Sequence, residues 1–188
     1  MGIKGIAAQA IGFVAMALLV YSFQKNTQKG ILKLQMASES LWVVHYLLIG
    51  AYTGMALNFV GVARCYVYAN RETKEWAGKS CVPVLFFVIS VAACALTWNG
   101  PASLLPMTSV CLSSFVLWSK NPRIIRFFSV PSCACWLIFN IISGSYAGVL
   151  TEILNIISIA VGIARYDIGK HKKQPPELAA AVYADDAV

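Results

Sequence analysis

Two stretches of this chain carry the same residues 94 positions apart. Trp42, Gly50, Tyr52, Gly54 and Arg71 recur as Trp136, Gly144, Tyr146, Gly148 and Arg165, with Ser38/Ser132 and Val67/Val161 in the same register. A repeat of this length asks both halves of the chain to build the same kind of unit. In a small membrane protein, parallel repeats frame a pathway or binding site at their interface.

The solvent for such a fold is set by composition. Hydrophobic residues are 59% of the chain, charged residues 12%, and the mean hydropathy is +0.68. A soluble domain of 188 residues could not hide that much apolar surface from water. Seven apolar segments stand out at roughly 5–23, 36–51, 54–69, 81–98, 103–118, 125–143 and 147–165. Each is near the length needed to span a bilayer. The expected fold is an all-α integral membrane protein of seven transmembrane helices. The run from Ile6 to Phe23 is followed by no small-x-small cleavage site, so it reads as a transmembrane helix.

Charge gives the topology. Lys25, Lys29 and Lys33 follow the first segment, Arg71, Lys74 and Lys79 the third, and Lys120, Arg123 and Arg126 the fifth. Arg165, Lys170, Lys172 and Lys173 follow the seventh, and the intervening turns hold no Lys or Arg. The positive-inside rule therefore predicts an outer N-terminus and a cytoplasmic C-terminus, with Lys4 the one exception. The net charge of +7 is accounted for by loops in this way. The expected partner is the lipid bilayer, not nucleic acid.

The 94-residue shift lays segments one to three onto five to seven and leaves the fourth unmatched. An even number of crossings separates matching helices, so they run in the same direction. The predicted architecture is two parallel triple-helix bundles joined by a linker helix. Repeat one covers about 5–71, the linker about 81–98 and repeat two about 103–165, within a membrane domain of 1–166. From 167 to 188 the Pro175-Pro176 pair, the alanines and Asp185-Asp186 predict a disordered cytoplasmic tail.

Little in the sequence speaks for enzymatic or metal chemistry. Five of the six cysteines lie inside apolar runs and Cys81 begins one, as expected of small buried hydrophobes. Cys133-Ala134-Cys135 lacks redox or zinc spacing, and His45 and His171 are the only histidines. Hydrolase, metalloprotease and phosphate-loop motifs are absent. No enzyme activity, cofactor or metal is expected. The seventh segment has no lysine for a retinal Schiff base.

Polar side chains within apolar segments are costly in hydrocarbon and face the bundle interior or water. Glu39, His45, Asn58, Arg64, Asn140, Glu152 and Asn155 are of this kind. Glu39 is close enough to a helix end to reach the interface by snorkelling. Arg64 either snorkels or serves as an ion-pair partner or gate. His45 either bonds a neighbouring helix or acts in proton coupling. Asn58 and Glu152 are equivalent in the repeat, and Glu152 and Asn155 share one helical face. Asn140 reads as a helix-to-helix bond or a substrate contact.

The stretch from His45 to Tyr52, with Arg64 downstream, is similar to the YgjV-type family of bacterial inner-membrane proteins, as is Trp136 to Asn140 followed by Gly144 and Glu152. That similarity covers 1–166. The three-plus-one-plus-three pattern also resembles the SWEET sugar transporters and the wider PQ-loop superfamily. The resemblance implies an inner-membrane location and a central solute site in which an asparagine of each bundle's last helix and a nearby tryptophan hold the substrate. Asn58, Trp42 and Trp136 match parts of that set, while an acid, Glu152, replaces one asparagine. The superfamily's Pro-Gln pair reads Phe23-Gln24 and Leu117-Trp118 here. Within the second helices Pro131 stands alone, with Ala37 at its counterpart.

The resulting expectation is a carrier of a small polar solute working by alternating access. Substrate contacts would come from Asn58, Trp42, Trp136, Glu152, Asn155 and Asn140, with His45 and Arg64 in gating or coupling. The alternative is a non-transporting receptor or assembly factor that binds a peptide, lipid or protein partner. A homo-oligomer is left open.

Overall fold

The computed structural model describes residues Ile3 to Ile168, and these form seven α-helices. They are α1 (Ile3–Ser22), α2 (Gln28–Ile49), α3 (Tyr52–Ala69), α4 (Val82–Leu96), α5 (Leu104–Val116), α6 (Pro122–Ile142) and α7 (Tyr146–Ile163). Short 3₁₀ turns occupy Glu75–Gly78 and Pro101–Ser103, and a π-helical turn, Ala164–Ile168, extends α7. Of the tail expected from 167 to 188, Asp167 and Ile168 belong to this turn, and 169–188 lie outside the described residues.

The 94-residue offset reappears in the helix ends. Ser22 and Val116 close α1 and α5, Gln28 and Pro122 open α2 and α6, and α3 and α7 match at both ends. Local chemistry explains the register. Thr27 caps α2 by accepting the Gly30 N–H, and Asn121, 94 residues later, caps α6 by accepting the Arg123 N–H. These caps are chemically equivalent without being identical. At the other end Gly50 and Gly144 take positive φ values of 76° and 67°. Each allows the two following-turn N–H groups to bond back: Gly50 to Leu47 and Ala51 to Tyr46, then Gly144 to Ile141 and Ser145 to Asn140.

One boundary departs from the sequence reading. The second apolar segment was expected from 36, whereas α2 begins at Gln28. Lys29 and Lys33 are therefore on the helix, not in a loop. The Thr27 cap starts it early, and Ile31 and Leu32 bury one side of its first turns completely.

Packing follows a ring. α2 lies against α1 and α3, α6 against α5 and α7, and the circuit closes where α3 meets α5 and where α7 meets α1. α4 packs outside it on α3 and α5. Repeat-equivalent bonds recur across these contacts. Ser38 Oγ donates to the Ala15 carbonyl at 2.7 Å, and Ser132 hydrogen-bonds Ser109 at the positions 94 further on.

The interior is more polar than the exterior. Arg126, His45, Asn140 and Asn155 are among the largest fully buried side chains, while Phe59, Val88, Ile141 and Ile157 face outward. Leu96 is 87% exposed. Lipid is the solvent in which this distribution is favourable.

Three helices are long and apolar enough to cross a membrane by that measure alone: Lys4–Ser22, Pro122–Ile142 and Tyr146–Asp167. The other four fall short for two reasons. α2 and α3 are interrupted by polar residues such as Lys33, Glu39, Asn58 and Arg64. α4 and α5 are apolar but short; α4, with 15 residues, rises only about 22 Å against a hydrocarbon core of about 30 Å.

Candidate functional site

A cavity of about 90 Å³ lies inside the ring and is lined by every helix except α4. Twelve of its eighteen lining residues form six pairs 94 positions apart: Leu19/Ser113, Phe23/Leu117, Gln35/Ser129, Glu39/Cys133, Trp42/Trp136 and Asn58/Glu152. Its wall is therefore drawn largely from equivalent positions of the two sequence repeats. Its walls run from Tyr46, near the α2–α3 turn, to Phe23 and Leu117 just past the ends of α1 and α5.

Of the expected site residues, Trp42, Asn58, Arg64, Trp136, Glu152 and Asn155 line this space. His45 and Asn140 do not. His45 is fully buried, with Nδ1 2.8 Å from the Ala8 carbonyl and Nε2 2.9 Å from Ser145 Oγ. A carbonyl can only accept, so Nδ1 carries the proton and Nε2 accepts from the serine hydroxyl. The same Ser145 Oγ accepts the Gly148 N–H and caps α7. His45 thus ties α1, α2 and the α6–α7 turn together. Asn140 accepts a hydrogen bond from Tyr46 Oη at 2.7 Å.

Two ionic arrangements differ in completeness. On one wall Arg64 meets Glu39 at 3.3 Å and also donates to the Val110 carbonyl at 3.0 Å. Cys65 Sγ adds a 3.5 Å contact to the second Glu39 oxygen. Gly61 makes room for this carboxylate, since a Cβ there would come within 2.5 Å of Glu39 Oε2. Glu39 is therefore held by a partner on α3.

On the facing side Glu152 is buried among neutral groups. Asn155 Nδ2 donates to Glu152 Oε2 at 3.3 Å, and Cys133 lines the same cavity. Among the described residues no basic side chain pairs with Glu152. Asn155 Oδ1 is buried without a hydrogen-bond partner. Asn58 turns its Nδ2 back onto the Gly54 carbonyl at 2.8 Å, which leaves its amide oxygen and one N–H to offer.

Aromatic rings close the end nearer the α2–α3 turn. Tyr46 stacks on Trp136 with centroids 5.8 Å apart, and Trp42 lies 5.6 Å from Tyr46. Phe139 packs edge-on against Trp136.

The far end is held by contacts the sequence reading missed. Arg126, expected in a loop, is 1% exposed and grips Asp167 through two bonds of 2.9 and 2.8 Å. Asp167 had been assigned to the tail. Gln24 Nε2 donates to Ser158 Oγ at 2.8 Å, and Tyr166 Oη donates to the Gln24 carbonyl. Gly162 permits the close approach, because a Cβ there would lie 2.9 Å from Arg126 Cδ. The only signal in the sequence was an acid placed just past the last apolar run, and its partner is 41 residues away.

This setting, a polar interior within an apolar shell, agrees with what related sequences show. The model of a family described as bacterial inner membrane protein, named for YgjV, matches residues 6–170. The chain belongs to the YgjV family. The inner membrane protein YgjV of Escherichia coli (strain K12) is 23% identical over 159 residues, 85% of this chain and 84% of that protein. No solved structure matches the chain. YgjV family membership accounts for the outward-facing Phe59, Leu96 and Ile141, whose solvent is the acyl region of the inner membrane.

Proposed function

We propose that this protein is a carrier of a small polar solute, moved by alternating access through the cavity between the repeats. The observation that carries the reading is the six repeat-equivalent pairs in the cavity wall. A site on the approximate symmetry relation can be opened from either side by equivalent motions of the two halves. Space of about 90 Å³ holds a few waters and is below the size of ordinary ligand pockets. Tyr46 and Trp136 border this space at one end, and Phe23 and Leu117 at the other.

In this reading α1–α3 and α5–α7 are two parallel triple-helix bundles and α4 is the linker between them. The matched helix ends and the position of α4 outside the ring support it. The architecture is then SWEET-like, with an outer N-terminus and a cytoplasmic C-terminus following from the basic loops. Where the superfamily has proline, Phe23 and Leu117 stand in the cavity wall. Flexing at that end would come from releasing side-chain contacts such as Gln24 to Ser158 rather than from a proline hinge.

The test is flux into proteoliposomes against sugars, amino acids and organic cations, with and without a pH gradient. Saturable uptake, lost in Asn58→Ala and Trp136→Ala proteins that remain folded, is the expected result. Binding with no movement of any solute would favour a receptor or assembly factor instead.

A further inference from the structure

The cavity wall holds donors as well as acceptors, Arg64 Nε being an unpartnered donor, but beside Glu152 the unpartnered atom is an acceptor. Asn155 donates one N–H to Glu152, and its oxygen, in a residue 2% exposed, has no hydrogen-bond partner. The reverse amide orientation would set two oxygens against each other at 3.3 Å. Asn58 directs one N–H to the Gly54 carbonyl of its own helix, and its amide oxygen is an acceptor available in the cavity that Glu152 also lines. Arg64, the basic group in the wall, is balanced by Glu39 at 3.3 Å. Glu152 has no such balance. A buried carboxyl with no basic partner and a buried amide oxygen with no donor can both accept from one N–H donor, and a carboxylate favours a cationic one.

The remaining walls suit such a group. Trp42 and Trp136 border the same cavity, each with Tyr46 against its ring, and an indole face attracts a cation that reaches it. The space is too small for a bulky ligand.

We propose that the cavity is a binding site for a small organic monocation with N–H donors, an ammonium or short primary amine, seated between Glu152, Asn155 and Asn58 against Trp42 and Trp136. The proposal rests on the carrier reading only for the movement of this ligand, not for its binding. A metal cation would satisfy the charge but gains less from two indole faces, and a neutral alcohol would leave the carboxylate unbalanced. The amine is the ligand that answers both features.

The experiment is equilibrium binding of ethylammonium to the full chain in nanodiscs, read by tryptophan fluorescence and by calorimetry, with ethanol, acetamide and sodium as comparisons. Saturable ethylammonium binding is expected, with the neutral molecules at least tenfold weaker. Sodium should compete poorly. Glu152→Gln should weaken ethylammonium at least tenfold while leaving the neutral molecules unchanged. Asn155→Ser, which keeps the carboxylate and removes the amide oxygen, should weaken it severalfold, and it serves if the first variant unfolds.

Equal affinity for ethanol, full competition by sodium, no binding of ethylammonium, or affinity untouched by both substitutions would each overturn the proposal. Amine binding without flux would remove the carrier reading and leave this site standing. Flux of a neutral solute insensitive to Glu152→Gln would keep the carrier and remove the amine.

Discussion

Tyr46 and Asn140 stand 94 residues apart, and Tyr46 Oη donates a 2.7 Å hydrogen bond to Asn140 Oδ1. Repeat-equivalent positions meet in this way only where the relation between the halves passes between them. Gly54 faces Tyr46 and Gly148 faces Asn140, so the glycines that admit these side chains are equivalent as well. Tyr46→Phe would leave the buried Asn140 oxygen unpartnered, at a cost of about 1–3 kcal/mol. Gly148→Ala would push a methyl group into Asn140 and cost about 1–3 kcal/mol by overpacking. Thermal unfolding in detergent should show both losses, and Tyr46→Phe in the Gly148→Ala background should be less than additive.

Glu39 and Arg64 form a buried pair whose members depend on each other. Arg64→Met alone strands the carboxylate and should cost about 3–5 kcal/mol. Glu39→Gln together with Arg64→Met should recover a large part of that loss. A double-mutant cycle on unfolding free energies reads the coupling directly; additive losses would mean that the two groups do not interact.

Arg126 holds Asp167 through two parallel bonds, and its guanidinium lies over the Tyr166 ring, 5.4 Å from its centroid. Lysine cannot reproduce that fork. Arg126→Lys should therefore destabilise the protein nearly as much as Asp167→Asn, by about 3–5 kcal/mol for a broken buried pair. Limited proteolysis near the end of α7 should accelerate in both variants.

The pair between Lys120 and Glu72 is of another kind. Its 3.1 Å contact joins side chains that are 74% and 70% exposed. The Lys120 hydrogen bond and charge hold the Glu72 carboxyl below its ordinary pKa. The sign follows: the contribution is present above the ordinary carboxylate range and is lost as pH falls through the lowered value. Because solvent screens the pair, Glu72→Gln should leave the melting temperature at neutral pH unchanged. Melting curves from neutral to acid pH, in low and high salt, test this.

Cys81 is exposed between the 3₁₀ turn and α4, whereas Cys65, Cys94, Cys111 and Cys133 are buried. With Cys135 replaced by serine, a membrane-impermeant maleimide should react chiefly at Cys81. The basic loop around it predicts reaction in inverted vesicles and none in intact cells treated from outside. The opposite pattern would reverse the proposed orientation.

The sequence disclosed positions more readily than partners. Glycines at 50 and 144 announced the two tight turns because few other residues tolerate positive φ. Asn58, Glu152 and Asn155 were recognisable as interior because hydrocarbon penalises their polar atoms, and all three line the cavity, as does Trp42, which only the family resemblance pointed to. What one polar group meets on another helix left no such trace. Glu39 was compatible with snorkelling until Arg64 was seen beside it, and Arg126 resembled any loop arginine until Asp167 closed on it. The Thr27 and Asn121 caps escaped a search for identical residues because they are alike in chemistry, not in name.

Asn58 and Glu152 answer each other across the two repeats, yet only one is an acid. Two identical half-length chains assembled as a dimer would have no such freedom: every group near their shared axis would be present twice. A carboxylate at this position would face its own copy and be repelled by it, and an amide would bring no charge at all. Covalent fusion of the halves breaks that constraint. It permits an odd number of charges at the centre of an otherwise paired structure, and with it a preference for one ligand orientation over its mirror placement.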